Sequence, residues 1–191
     1  MMLEGNYGAR QVLSRRCAWD RVRRMKALIQ RVTRGVVRVE EREAGVVGRG
    51  FVVLLGVRNG DGDADALYLA EKTAGLRVFP DEQDRMNRSV VDVGGGVLVV
   101  SQFTLYADTR KGNRPGFTAA AAPDEAQRLY EVYVGHLRRI LGTERVATGV
   151  FRASMQVELV NDGPVTIELS TDAKPHPSLR NTSRGNAEMC C

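Results

Sequence analysis

The stretch Phe51 to Val57, FVVLLGV, is continuously apolar and lacks the polar alternation of a strand with one wet face. Such a strand has to be covered on both sides, so the sheet that holds it lies inside the molecule. Val97 to Val100 repeats the pattern directly after the glycine run Gly94 to Gly96. The remainder of the chain must therefore supply two layers of cover.

Ala27 to Val32 and Val36 to Val39 are rich in branched residues and read as strands, with Glu41 to Gly45 as a turn before Val46. Leu67, Leu69, Ala70, Ala74 and Leu76 recur at helical spacing, predicting a helix that ends near Gly75. Pro80 to Asn87 reads as a charged loop. A second helix is better specified: Pro123 opens it, Asp124 and Glu125 fill its first turn, Arg138 and Arg139 its last, and Gly142 closes it. Its apolar face is Leu129, Tyr130, Tyr133, Leu137, Ile140 and Leu141. Near the end, Met155, Val157 and Leu159 alternate on one strand and Val165, Ile167 and Leu169 on another, so Asn161 to Pro164 reads as a hairpin tip. Many strands and only two main helices predict one α+β domain with a mostly antiparallel, barrel-like or sandwiched sheet.

The charge is unevenly placed. The chain carries a net +5, yet residues 1–24 hold six Arg against Glu4 and Asp20, and residues 172–191 hold Lys174, Arg180 and Arg184 against Asp172 and Glu188, which leaves 25–171 neutral. Bulk charge does not bind such a globule to nucleic acid, so any RNA contact has to be local. The leader 1–24 lacks the apolar run of a secretory signal, and no stretch is long enough to cross a bilayer, which predicts a soluble, cytoplasmic protein. The leader reads as a basic extension, disordered or produced by a start codon placed ahead of Met25; an organelle transit peptide is the less favoured reading. The polar tail 172–191, with Pro175 and Pro177, is expected to be disordered.

Cys17, Cys190 and Cys191 all lie in these flanks, and the two histidines are His136, within the second helix, and His176, in the tail. A disulfide framework, a thiolate nucleophile, a Cys/His zinc site and a Ser-His-Asp triad are thereby excluded from the globule, and no metal or other cofactor is expected. Asp61, Asp63 and Asp65 imitate the start of a calcium loop, but Ala66 stands where its glycine belongs and Lys72 where its glutamate belongs. Gly94 to Gly96 lacks the spacing of a nucleotide loop.

Two strings remain, SQFTLY at 101–106 and NDGPVT at 161–166, each where a strand meets a turn. On its residues alone SQFTLY is an ordinary strand end, with Ser101, Phe103 and Leu105 on one face and Gln102, Thr104 and Tyr106 on the other, and its hydroxyls bonded to backbone. NDGP alone is a generic turn. With MKALIQRVTR at 25–34 and ADTRKGNRPGF at 107–117, they closely resemble the D-aminoacyl-tRNA deacylases, in the family's order and from Met25 to about Thr171.

The resemblance implies a homodimer of barrel-like subunits that hydrolyses the ester of D-aminoacyl-tRNA, and of mischarged glycyl-tRNA, at the tRNA 3' end. It implies that the strand bends so that backbone amides around Gln102, Phe103 and Thr104 face the ester, with the Ser101 and Thr104 side chains nearby. It implies that Gly163–Pro164 is cis and enters the partner subunit's pocket, where its carbonyls hold the substrate amino group and leave no room for an L side chain. Asn161 is grouped with that substrate-binding loop. Arg31 resembles the family's residue that holds this loop in orientation, against the plainer reading of a solvated edge-strand residue like its neighbours Arg34 and Arg38. The resemblance implies that Phe151 and Met155 contact the terminal adenosine, against the plainer reading of core residues, although the residues between them are Arg152, Ala153 and Ser154 where the family usually reads Gly-Ala-Asp. Thr104 has no evident activating base, so the ribose hydroxyl beside the ester assists the attacking water. The loop Thr109 to Gly116, with Arg110, Lys111 and Arg114, reads as solvated or as a contact to the acceptor backbone. The rival from another class is a nucleic-acid-binding dimer that uses its basic flanks without catalysis; retention of both motifs favours the enzyme.

Overall fold

The computed structural model describes residues 25–171. The readings of the leader, the tail, the three cysteines and His176 lie outside the described residues. Strand β1 (Lys26–Val39) leads through a two-residue turn into β2 (Arg42–Val47), and β3 (Gly50–Gly56) follows. Helix α1 (Asp63–Ala74), the short strands β4 (Phe79–Pro80) and β5 (Met86–Arg88), and β6 (Gly96–Ser101) come next. A 3-10 turn (Phe103–Tyr106), helix α2 (Pro123–Leu141), β7 (Val146–Thr148) and β8 (Gln156–Ser170) complete the fold. The main sheet runs β2-β1-β3-β6-β7, and β8 also pairs with β1.

This is the α+β, barrel-like architecture read from the sequence, with a mixed sheet: β3–β6 and β6–β7 are parallel, and the pairings of β1 are antiparallel. Both apolar runs are covered on two sides. Phe51, Val53, Leu55, Val97 and Val99 face the helices, packed with Leu69, Leu129, Tyr133 and Leu137. Val52, Leu98 and Val100 turn the other way, into a second core with Val32, Val37 and Val47. Each fully buried Leu or Val of this kind stabilises the fold by about 1.5–3 kcal/mol. The two end strands meet: a Cβ on Gly45 of β2 would lie 2.5 Å from the Thr148 carbonyl of β7 and 2.9 Å from Leu98 Cδ1. Only glycine permits that approach, and it curls the sheet towards closure.

The helices follow their sequence signals. In α1, Asp65 reaches back to the Gly62 N–H at 2.9 Å, while Asp63 pairs with Arg128 at 2.6 Å, so these carboxylates serve the helix start and the α1–α2 junction. α2 begins at Pro123 and stops at Gly142, whose φ of 96° suits glycine. Its buried face adds Val134 to the residues anticipated, and Tyr133 Oη lies 2.7 Å from Thr73 Oγ1 between the two helices. No helix among the described residues is long and apolar enough to cross a membrane.

Three local readings need correction. The first two strands are one, β1, and the turn after it is Glu40–Glu41, both at positive φ (49° and 67°), with Gly45 inside β2. No glycine marks that turn, which is why the sequence hid it. Part of the loop at Pro80 to Asn87 belongs to the β4–β5 ladder. Most consequentially, Asn161 to Pro164 is not a hairpin tip. Both halves of β8 pair with β1, and the register jumps from Val32 opposite Asn161 to Gln30 opposite Thr166, so Asp162 to Val165 bulge out of a continuous strand.

Substituting Gly45→Ala should lower stability by about 1–3 kcal/mol, because the clash is with backbone that cannot yield freely. Gly48→Ala, where a Cβ meets nothing within 4 Å, should leave it almost unchanged. Urea midpoints of the two variants, measured beside the parent chain, check this.

Candidate active site

β6 runs parallel to β3 as far as Ser101, which pairs with Leu55, and there the ladder ends. The Gln102 N–H donates to the Leu55 carbonyl at 2.8 Å, and the chain then coils into the 3-10 turn. The bend implied by the resemblance is therefore present, but the amide of Gln102 is occupied within the sheet. The next two N–H groups, of Phe103 and Thr104, open the turn and have no acceptor within it. Tyr106 is drawn inward, its hydroxyl donating to the Gly56 carbonyl at 3.0 Å, and burial raises its pKa far above the usual tyrosine range.

The turn forms one wall of a pocket of about 560 Å³. Ser101, Gln102 and Phe103 line it from the end of β6 and the start of the 3-10 turn, Phe151, Arg152 and Met155 from the segment before β8, and Phe117 and Ala121 from the approach to α2. The structure thus brings Ser101, Gln102, Phe103, Phe151 and Met155 together. Thr104 stands beside this wall, exposed, with its Oγ1 accepting a hydrogen bond from Gln102 Nε2. Phe103 is 56% exposed and meets Phe117 edge to face at 5.0 Å. Phe151 leans on Tyr130 at 6.0 Å; the Tyr130 hydroxyl donates to Val99 O at 2.9 Å, and burial pushes its pKa up to about 12. Tyr130 is therefore a neutral prop at physiological pH. Among the described residues, no three or more His, Cys, Asp or Glu side chains converge as a metal-binding group.

Arg152 holds φ at 64°, in the left-handed region. This is the first of the two positions, Arg152 and Ser154, at which the chain departs from Gly-Ala-Asp, so arginine here keeps the bend that a glycine adopts freely. The loop beyond the 3-10 turn is closed by paired backbone bonds between Asp108 and Gly116. Arg110 forks onto Asp108 at 2.6 and 2.9 Å, and its hydrogen bonds hold that carboxyl well below the usual range. Lys111 and Arg114 are exposed.

The remaining candidates form a separate group. Gly163–Pro164 is cis and solvent-exposed at the crest of the β8 bulge, and neither residue lines the pocket. Arg31 is buried at 8% exposure, unlike the solvated neighbour it could have been. Its guanidinium donates to the carbonyls of Asp162 (3.1 Å) and Val78 and pairs with the Asp162 carboxylate at 3.0 Å. Asn161 closes the bulge by accepting from the Val165 N–H at 3.0 Å. Sequence reasoning missed Phe117, the last residue of ADTRKGNRPGF, and Gln30, the neighbour of Arg31. Neither residue type carries a chemical signal alone; only the fold brings Phe117 against Phe103 and Gln30 under the bulge.

The model of the D-Tyr-tRNA(Tyr) deacylase family matches residues 28–170. Over 143 residues the chain is 64% identical to the D-aminoacyl-tRNA deacylase of Heliobacterium modesticaldum, covering 75% of this chain and 94% of that protein. Over 147 residues it is 58% identical to the D-aminoacyl-tRNA deacylase of Koribacter versatilis, covering 77% and 97%. Among solved structures, the c-Myc DNA Unwinding Element Binding Protein aligns with a TM-score of 0.72 at 41% identity, over 75% of this chain and 97% of that one. The chain belongs to the D-Tyr-tRNA(Tyr) deacylase family and is accordingly a hydrolase acting on an ester bond.

Because a side chain at left-handed φ costs more than the extra chain freedom that glycine loses on folding, Arg152→Gly should raise stability by about 0.5–1 kcal/mol. Thermal unfolding of the two chains, compared at one scan rate, measures it.

Proposed function

We propose that the pocket hydrolyses the ester joining a D-amino acid, or a misattached glycine, to the 3' end of tRNA, releasing free amino acid and free tRNA. The observation that carries this reading is the paired opening of the 3-10 turn at Phe103 and Thr104 beside a pocket walled by Ser101, Gln102, Phe151 and Met155. Water adds to the ester carbonyl, and the charge that develops on its oxygen is met by the N–H groups of Phe103 and Thr104, held in place before the reaction begins. The ribose hydroxyl beside the ester helps to activate the water, and the ribose oxygen leaves with a proton as the C–O bond breaks. His136 does not line the pocket and faces Glu71 at 3.4 Å, so it takes no part. Phe151 and Met155 receive the terminal adenosine against their apolar surfaces.

The chiral filter comes from a second copy of the chain. Gly163 and Pro164 stand exposed and outside their own pocket, which supports their insertion into the pocket of a partner in a homodimer. Their carbonyls accept from the substrate ammonium, and the backbone fills the space an L side chain would need. A filter made of backbone discriminates by configuration and is indifferent to side-chain type; glycine, with nothing to exclude, passes. Arg31 keeps that segment aimed.

The likeness to a protein named for binding a DNA unwinding element favours one second reading, a nucleic-acid-binding dimer working through its basic flanks. It predicts binding that weakens steeply with salt and no ester hydrolysis.

Deacylation of D-tyrosyl-tRNA beside L-tyrosyl-tRNA by the full-length chain separates these readings: loss of the D-ester alone is expected, and loss of neither would reject the enzyme. Thr104→Ala should reduce the rate by about tenfold or less, in keeping with the loss of one side-chain hydrogen bond. A folded Thr104→Ala protein with no turnover would reject the backbone-donor mechanism. In Gly163→Ala, φ of 124° and a Cβ 2.9 Å from Val165 Cγ2 force the bulge to move. That variant should lose discrimination between the two esters more than it loses turnover.

A further inference from the structure

The bulge of β8 is held from two sides. On one side stands Arg31, whose bonds are described above. On the other stands Gln30, the adjacent residue of β1, whose side chain points to the opposite face of the strand. Gln30 Oε1 accepts from Thr166 Oγ1 at 2.8 Å and also from Asn161 Nδ2. Asn161 and Thr166 are the last paired residues before the bulge and the first after it. One oxygen atom therefore ties together the two feet of the segment that carries Gly163 and Pro164.

The direction of every bond in this cluster follows from donor chemistry. The Val165 N–H can only donate, so Asn161 must turn its Oδ1 towards it, at 3.0 Å. That leaves the Asn161 amide nitrogen facing Gln30, so Gln30 must present its oxygen, which the Thr166 hydroxyl then shares. Asn161 is consumed by this arrangement: its oxygen closes the bulge and its nitrogen reaches Gln30. We infer that Gln30 is a positioning residue for stereochemical selection, acting through Asn161 and Thr166 to fix the height and aim of Gly163–Pro164, and that Asn161 serves the same latch instead of touching substrate. This rests on the reading of that segment as the chiral filter. What the latch requires of residue 30 is an acceptor atom at the end of a side chain of this length, not its amide nitrogen.

That requirement separates three variants. Gln30→Glu keeps an acceptor in place, Gln30→Met keeps length and loses the acceptor, and Thr166→Val removes one donor at an exposed position, for use should Gln30→Met fail to fold. Rates of D- and L-tyrosyl-tRNA hydrolysis, taken on the full chain at saturating and at limiting substrate, give the ratio of the two esters for each. Gln30→Met should narrow the ratio by about tenfold, mainly by admitting the L-ester, and Gln30→Glu should restore it; Thr166→Val should narrow it less. Hydrogen exchange of the Val165 amide, which reads the latch without any substrate, should quicken by about tenfold in Gln30→Met and stay slow in Gln30→Glu, as expected for one hydrogen bond. An unchanged ratio and unchanged exchange in Gln30→Met, or a Gln30→Glu chain that behaves as Gln30→Met does, would overturn the inference. If the unaltered chain fails to distinguish the two esters while the exchange pattern holds, the filter reading has failed and the latch is a structural tie alone.

Discussion

A strand bonded along both edges leaves little freedom to the residues opposite it. β1 pairs with β3 and then β2 on one edge and with β8 along the other, so the backbone of β8 is satisfied wherever it follows β1. Between Asn161 and Thr166 it does not follow, and its surplus N–H and C=O groups have to find partners outside the ladder. The answers come from side chains: Arg31 takes the carbonyl of Asp162, and Asn161 takes the N–H of Val165. A segment that would otherwise be a loose loop is thereby tied to the strand beneath it. This is the condition for a binding surface made of main-chain atoms, which has no side-chain rotamers with which to correct a misplacement.

The pocket obeys the same logic at the end of β6. There the ladder stops, one more amide is taken by Leu55, and the following two are released by the tightness of the 3-10 turn. Position is again set by the sheet, while chemistry is left to groups the sheet does not use. Around them, Phe103 with Phe117 and Phe151 with Tyr130 build a wall of aromatic contacts, each pair contributing roughly 0.5–1.5 kcal/mol beyond its buried area. The mechanism proposed above, which rests on backbone donors, asks for no titratable partner, in keeping with a described region that holds His136 as its one histidine and no cysteine.

Legibility in the sequence followed the range of the interactions involved. α2 was readable to within its caps because proline, the acidic first turn, the basic last turn and the closing glycine all act within one helical turn of where they stand. The double burial of β3 and β6 was readable because it leaves no polar residue in the run. The β8 bulge was misread as a hairpin because the two share a local pattern, alternating residues on either side of Asn-Asp-Gly-Pro, and differ only in what they pair with. That partner lies well over a hundred residues away in sequence. The paired use of Gln30 and Arg31 was hidden for the same reason, and the resemblance carried Arg31 where residue type alone left it among several alike. SQFTLY stood out as a motif, but which of its amides the sheet takes up depends on Leu55, which nothing in the motif announces.

The bulge also bears on how this chain tolerates change in length. Side chains along a strand alternate between faces, so adding or removing one residue between two paired halves turns one half over. Val165, Ile167 and Leu169 lie against the helix-side core, whereas Leu159 packs into the other core, and the feet of the bulge are tied at Asn161 and Thr166. Single insertions and deletions inside this turn-like sequence would thus either reshape the crest between its two tied feet or, where a foot slips, turn one half of β8 over. A stretch that resembles the kind of surface loop evolution edits most freely is, in this fold, a ruler of fixed length.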